Sequence, residues 1–379
     1  MSFDSVNLTS ALVQVAEAHN ALHHLRGTLQ PMRALKATVT RGKLAALSRK
    51  RRLVLATFQL GDLELEQDVP QYGFPVELEL CNFDSFELLR ESGLTPDIAL
   101  FRSHQFWQVD GNYNIQGLAS APHHASDCLN LVWLWDHHHA FELSGKMALL
   151  ADIVLPMHET GADYLKIFND MVFSAVPAAS AQWGGPRFVA EVFREHARIE
   201  RSDRLYGGFV GYSGFQRNQF ISHCMAAFPD HALVLLPPTQ ARDIRHFGVA
   251  SRRERLIEWM SYKCSLVCAL TEDIPIRIID GLLAGQIPLV PNNLNGFDRL
   301  ISPALQAELP IVRYDPYDVP SVGAAWRTAI ALYDRAGPAG AERRHRYALE
   351  HHMPKHRLVD IVSTVLNSAR IFADGEDRP

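Results

Sequence analysis

The chain has no apolar run long enough to cross a bilayer, no CxxC pair, no HExxH motif and no general excess of basic residues. The first absence excludes a spanning helix, which needs about 20 consecutive apolar residues. Five cysteines are present (Cys81, Cys128, Cys224, Cys264 and Cys268), an odd number in apolar or mixed surroundings. They read as reduced, buried thiols in a reducing compartment rather than a disulfide framework. A net charge of -5 with a pI near 6.4 argues against a nucleic-acid partner, because no face-wide basic excess is available. The opening MSFDSVNLTS lacks a signal-peptide pattern. A cytoplasmic protein is the expectation.

One absence is local. No acid stands between Met32 and Arg52, where eight bases occur: Arg33, Lys36, Arg41, Lys43, Arg49, Lys50, Arg51 and Arg52. Such a stretch suits peripheral contact with anionic lipid at the inner membrane face, at about 1 kcal/mol per residue. A solvated helix and linker ahead of the first strand is the favoured reading, since the apolar positions form no clean membrane-facing stripe.

What is present indicates two domains. A chain of 379 residues exceeds one ordinary core, and 47% apolar with 21% charged residues can fill two. Residues 1–48 read as helical, with Leu8, Leu12, Val15, Leu22 and Leu25 at helix spacing. Short apolar runs then predict strands over 52–58, 75–80, 97–101, 130–135 and 152–156, with helices over 83–92 and 141–150. Residues 177–186 have the Pro, Gly and Ser content of a connector. A second series follows: strands over 206–210, 232–236, 265–270 and 287–290, and helices over 187–199, 218–228, 253–261, 276–284, 322–335 and 357–370. Alternation of this kind predicts an α/β fold with two Rossmann-like domains facing a central cleft. The expected division is 1–50 a basic helical extension, 51–186 the first Rossmann-like domain, 187–350 the second, and 351–379 a C-terminal helix that packs back on the first domain.

The richest stretch lies at 271–290. A predicted strand ends near Glu272, a helix starts near Pro275, Asp280 lies on it, and Gly285 stops it before Ile287-Pro-Leu-Val290. Ligands of open α/β sheets bind beyond the carboxyl ends of the strands, where a helix N-terminus favours phosphate. This segment resembles the signature of group 1-type retaining glycosyltransferases of the GT-B fold, in which Glu, seven residues and Glu precede a Gly-x-Pro-[LIV] strand. Here Asp280 stands in place of the second glutamate. The resemblance implies that Glu272 lies near the donor sugar, that Ile274, Pro275 and Arg277 line the donor site, and that Asp280 binds the ribose.

Residues 209–218 resemble the same family's strand-Gly-Arg-loop-Lys-Gly element, whose cations contact the donor diphosphate. Gly211, Tyr212 and Ser213 form the loop, Arg217 takes the lysine position, and Tyr212 replaces the arginine. Arg277 is the candidate for the missing charge, and a nucleoside-monophosphate sugar is an alternative donor. In the first domain, GT-B enzymes place a histidine facing the donor sugar, and His137 fits that position. Asp136, His158, Glu159 and Gly61 are the acceptor-side candidates. Asp136 beside histidines also suits a metal, but consecutive histidines on an extended chain point to opposite faces and no ligand spacing appears.

These residues predict transfer of a sugar from a nucleotide-sugar donor to a saccharide, lipid-linked or protein acceptor hydroxyl, in bacterial-type glycan or glycoconjugate synthesis. Arg217 stabilises the leaving group, Glu272 and His137 complete the catalytic set, and retention is favoured. No metal and no cofactor is required, the donor being a substrate. A sugar-nucleotide epimerase of the same fold and a non-catalytic GT-B-like binding or scaffold protein are the alternatives.

Overall fold

The computed structural model describes residues 5–58, 64–102, 127–135, 137, 141–177, 179–180, 183–208, 216–235, 251–269 and 272–373. The chain divides into two compact units. The first comprises Met1–Leu60, Pro70–Val176 and Ile361–Pro379, the second Gly61–Val69 and Pro177–Asp360.

The first unit carries strands β1 (Arg52–Phe58), β2 (Glu77–Phe83), β3 (Ile98–Arg102), β4 (Leu129–Leu134) and β5 (Ile153–Pro156). They form one parallel sheet in the order β2-β1-β3-β4-β5. Every residue of β3, β4 and β5 is buried, with no inside-outside alternation. That is the pattern of a parallel sheet covered on both faces, and it explains why these strands read as continuous apolar runs. The helix Phe141–Leu150 falls where its apolar spacing placed it.

The helix Ser5–Leu47 buries Ala37, Thr40, Leu44 and Leu47, which recur at three- and four-residue steps on one face. Several bases in and just after it bind groups of the same unit. Lys36 Nζ donates to the Ala148 and Leu149 carbonyls (2.9 and 2.6 Å), acceptors that the end of helix Phe141–Leu150 leaves without intrahelical partners. Burial pushes the Lys36 ammonium down to about 8. Arg33 donates to the Lys166 and Ile167 carbonyls and pairs with Asp170 at 2.9 Å. Lys50 pairs with Asp97, and Arg52 with Glu79. Among the described residues no helix is long and apolar enough to cross a membrane.

Lys43 joins the tightest of these arrangements. Its ammonium meets Asp152 at 2.8 Å and the Cys128 carbonyl at 2.9 Å, while Asp152 also accepts from the backbone and side-chain nitrogens of Asn130. Both charged side chains are only 9% exposed. Removing one partner of such a pair strands the other charge in low dielectric. Lys43→Met is expected to destabilise the protein by about 3–5 kcal/mol, read as a lower denaturant midpoint. A loss under about 1 kcal/mol would show that water reaches Asp152.

The second unit repeats the topology with shorter strands: β6 (Leu205–Tyr206), β7 (His231–Ala232), β8 (Cys264–Leu266), β9 (Ile287–Pro291) and β10 (Val312–Tyr314). The order β10-β9-β8-β6-β7 is again second-first-third-fourth-fifth in chain order, and every pairing is parallel. Strand β10 was not anticipated: it is three residues long, and Val312 and Arg313 are only half-buried. The helix predicted over 322–335 spans Val319–His351 and is broken at Gly337 (φ 58°), after which Pro338 opens a second segment. Ile278, Ile279, Leu282 and Leu283 pack with Leu266, Leu289 and Val322 in the core of this unit.

Three cationic or polar side chains gather where helix Arg277–Leu283 ends. Arg344 Nε and Nη2 donate to the Gly285 carbonyl (3.1 and 3.0 Å), His345 Nδ1 lies 2.6 Å from the Leu283 carbonyl, and Arg201 packs beside Gly285. Gly285 turns there with φ 74°, a left-handed conformation that favours glycine. Carbonyls left without intrahelical partners at the helix end give the buried guanidinium of Arg344 its acceptor at this spot.

Candidate functional site

In a parallel sheet of this order, the first and third strands send their connections to opposite sides, and a crevice opens beyond their carboxyl ends. In the second unit that switch point lies between β6 and β8. Gly207 and Gly208 follow β6; Val267, Cys268 and Ala269 follow β8. The helix Arg277–Leu283 then brings a guanidinium back across the gap: Arg277 Nη1 donates to the carbonyls of Gly207 (2.8 Å) and Gly208 (3.4 Å).

Arg217, half-buried in the first turn of helix Gln216–Ala227, lies within electrostatic reach of this group. The Arg277 guanidinium is pushed below the usual arginine range by burial and then by the charge of Arg217, with Asp280 acting in the opposite sense. A second cation beside the buried Arg277 guanidinium disfavours its charge, and an anion placed between the two arginines relieves that.

The helix begins at Arg277, close to its expected start near Pro275. Pro275 and Ile276 form its tight entry, their carbonyls accepting from Ile278 (3.2 Å) and Ile279 (2.9 Å). With seven residues its dipole is modest, so the guanidinium charges dominate the local field. Ile274 and Pro275 are half-buried beside it. The Glu272 side chain is exposed in the segment leading from β8, and its carbonyl accepts from Asn295 at 2.8 Å. Asp280, in contrast, is wholly buried, and its carboxylate accepts from the Ser180 hydroxyl at 2.5 Å. No sequence pattern links Ser180 to this place; the two residues are 100 positions apart.

The thiols near the switch point are inert. Burial pushes both Cys268 and Cys224 up to about 12, so neither supplies a thiolate near neutrality. The Tyr314 hydroxyl donates to the Val267 carbonyl at 2.7 Å, tying β10 to the end of β8.

In the first unit His137 is completely buried. Its Nε2 lies 3.1 Å from the Thr160 carbonyl, its own carbonyl accepts from the Tyr164 hydroxyl at 3.0 Å, and its ring sits 5.9 Å from that of His158. His158 is buried as well and Glu159 is exposed. The turn after them is a short 3-10 helix, Ala162–Ile167, entered through Gly161 at φ 73°. Gly61, Asp136, Gly211, Tyr212 and Ser213 lie outside the described residues. Among the described residues no group of three or more His, Cys, Asp or Glu is placed to hold a metal ion.

No family model matches the sequence, and no curated protein does. Solved structures are similar at low identity. Sucrose-phosphate synthase from Thermosynechococcus elongatus is 12% identical over 85% of this chain and 100% of its own, with a TM-score of 0.42. The catalytic domain of starch synthase IV from Arabidopsis thaliana, bound to ADP and acarbose, is 11% identical over 75% of each chain, with a TM-score of 0.45. A glycosyltransferase from Rickettsia africae is 8% identical over 85% of this chain and 99% of its own, with a TM-score of 0.44.

Proposed function

We propose that this chain is a glycosyltransferase that holds a nucleotide-sugar donor at the switch point of its second unit and transfers the sugar to an acceptor hydroxyl. The observation that carries the reading is the convergence of Arg217 and Arg277 on the ends of β6 and β8, where Arg277 is anchored by the Gly207 carbonyl. Two guanidinium groups suit the two phosphates of a nucleoside diphosphate, and Arg277 stands in for the cation missing at Tyr212. The spacing of Glu272, Asp280 and the Gly285-to-Val290 strand narrows the class from phosphate binding to sugar transfer.

In the reaction, the bond between the anomeric carbon and the phosphate oxygen breaks and its electron pair stays on that oxygen. Arg217 and Arg277 stabilise the charge as it develops. The acceptor oxygen bonds to the anomeric carbon on the same face, giving retention, and its proton passes to the leaving phosphate. Glu272, exposed in the segment after β8, orients the donor sugar. The acceptor is a saccharide, lipid-linked or protein hydroxyl in glycan or glycoconjugate synthesis.

Because the arginines neutralise the phosphates, turnover should persist in EDTA; complete loss restored by Mn²⁺ or Mg²⁺ would assign that role to a metal. The reading itself is tested by incubating the protein with UDP-, GDP-, ADP-, dTDP- and CMP-sugars and following each by NMR. Release of the nucleotide with the anomeric configuration kept in the product supports it. Conversion of a sugar nucleotide to its epimer, or no consumption of any donor, contradicts it.

A further inference from the structure

The Ser180–Asp280 contact lies in the connector that opens the second unit, and nothing in the proposed reaction uses it. Both residues are wholly buried. Asp280 stands three residues after Arg277 on the same short helix, so its carboxylate belongs to the neighbourhood of the arginine pair. The connector is held on either side of the contact. Arg357 Nε donates to the Pro177 carbonyl at 3.1 Å, Ala179 is buried, and Trp183 meets the Trp259 ring edge-on at 5.6 Å. Gly184 follows with φ 102°, a conformation open to glycine and a natural pivot between Trp183 and helix Pro186–Glu195.

A hydroxyl on a carboxylate is the same hydrogen bond whether the hydroxyl comes from serine or from a sugar ring. Exchanging one for the other therefore changes little in the bond itself, and the outcome depends on which partner is held better. We infer that Ser180 is an internal stand-in for a ligand hydroxyl: a bound nucleotide displaces it from Asp280 and frees the connector at Ser180. The inference rests on the nucleotide site proposed above and adds a latch to it. Apparent affinity is then lowered by the fraction of molecules with the latch closed.

The test is calorimetric titration of UDP, ADP and GDP, each separately, into the wild-type chain and Ser180→Ala, with hydrogen exchange across 177–186 of the wild type. Removing one hydroxyl-carboxylate bond should tighten nucleotide binding by about three- to tenfold. Ser180→Thr, which keeps a hydroxyl, should stay near wild type. Bound nucleotide should speed exchange across the connector of the wild-type protein, a readout that stands even where Ser180→Ala folds poorly. Unchanged or weaker binding in a folded Ser180→Ala, or slower exchange in the connector, overturns the latch and leaves the nucleotide site intact. Binding of none of the three nucleotides by either protein overturns both.

Discussion

Arg217→Ala is expected to cut kcat for the donor by roughly 10²–10³, with a smaller change in KM. Charge grows on the leaving phosphate as the glycosidic bond breaks, so a guanidinium there binds the transition state better than the ground state. Loss of one such preorganised donor typically costs about 2.7–4 kcal/mol of barrier. Arg277→Met should fall in the same range, with some additional weakening of binding, because that side chain also spans the gap to the Gly207 and Gly208 carbonyls. The two share one ligand group, so the double variant should lose less than the product of the single losses. Steady-state kinetics on the four proteins checks this. Near wild-type kcat in a folded Arg217→Ala would move the phosphate site away from the helix Gln216–Ala227.

Acid should destabilise the second unit before the carboxylates titrate. Burial drives His345 down to about 4, where its Nδ1 meets the Leu283 carbonyl and its ring stacks on Phe193 at 3.7 Å. His352 is pushed well below the ordinary range by burial and by Arg357, and His356 to about 4 by burial and by Lys355. In the unfolded chain each titrates near 6.5. As pH falls from about 6.5 toward 4, the unfolded state takes up protons that the folded state refuses, and stability falls with it. The stabilising contribution is fully present above about pH 6.5. By pH 5 the loss from His345 alone is about 2 kcal/mol, with His352 and His356 acting in the same sense. Thermal melts between pH 7.5 and 5 should show Tm falling steadily, and His345→Asn, which keeps a donor and does not titrate, should flatten the slope. A Tm independent of pH across this window would mean that water reaches these rings.

Much of the architecture could be read from the chain because local pattern and tertiary role agree. Strand β1 and the helix Phe141–Leu150 match their predicted limits, since each is bounded by a change in apolar spacing. Strand β10 was invisible: Val312, Arg313 and Tyr314 owe their strand conformation to pairing with β9, not to their own pattern. The helix beyond Gly337 was missed because Gly337-Pro338 reads as a stop, while in the fold that proline starts the next segment.

The site divides along the same line. Glu272, Arg277 and Asp280 could be named as candidates from the chain because they lie within one strand-to-helix unit. Ser180 was not, as its partner is brought to it only by folding. The bases of the first helix show the same limit. Composition reveals the excess, but not that Arg33, Lys36 and Lys43 would be directed at carbonyls and carboxylates more than 80 residues away.

The structure of a complex with a nucleoside diphosphate tests the central claim most directly. The account predicts the diphosphate beyond the ends of β6 and β8, with its oxygens within hydrogen-bond distance of Arg217 and Arg277 and a ribose hydroxyl in place of Ser180 on Asp280. A nucleotide bound at the ends of β1 and β3 in the first unit, with Arg217 and Arg277 untouched, would contradict it.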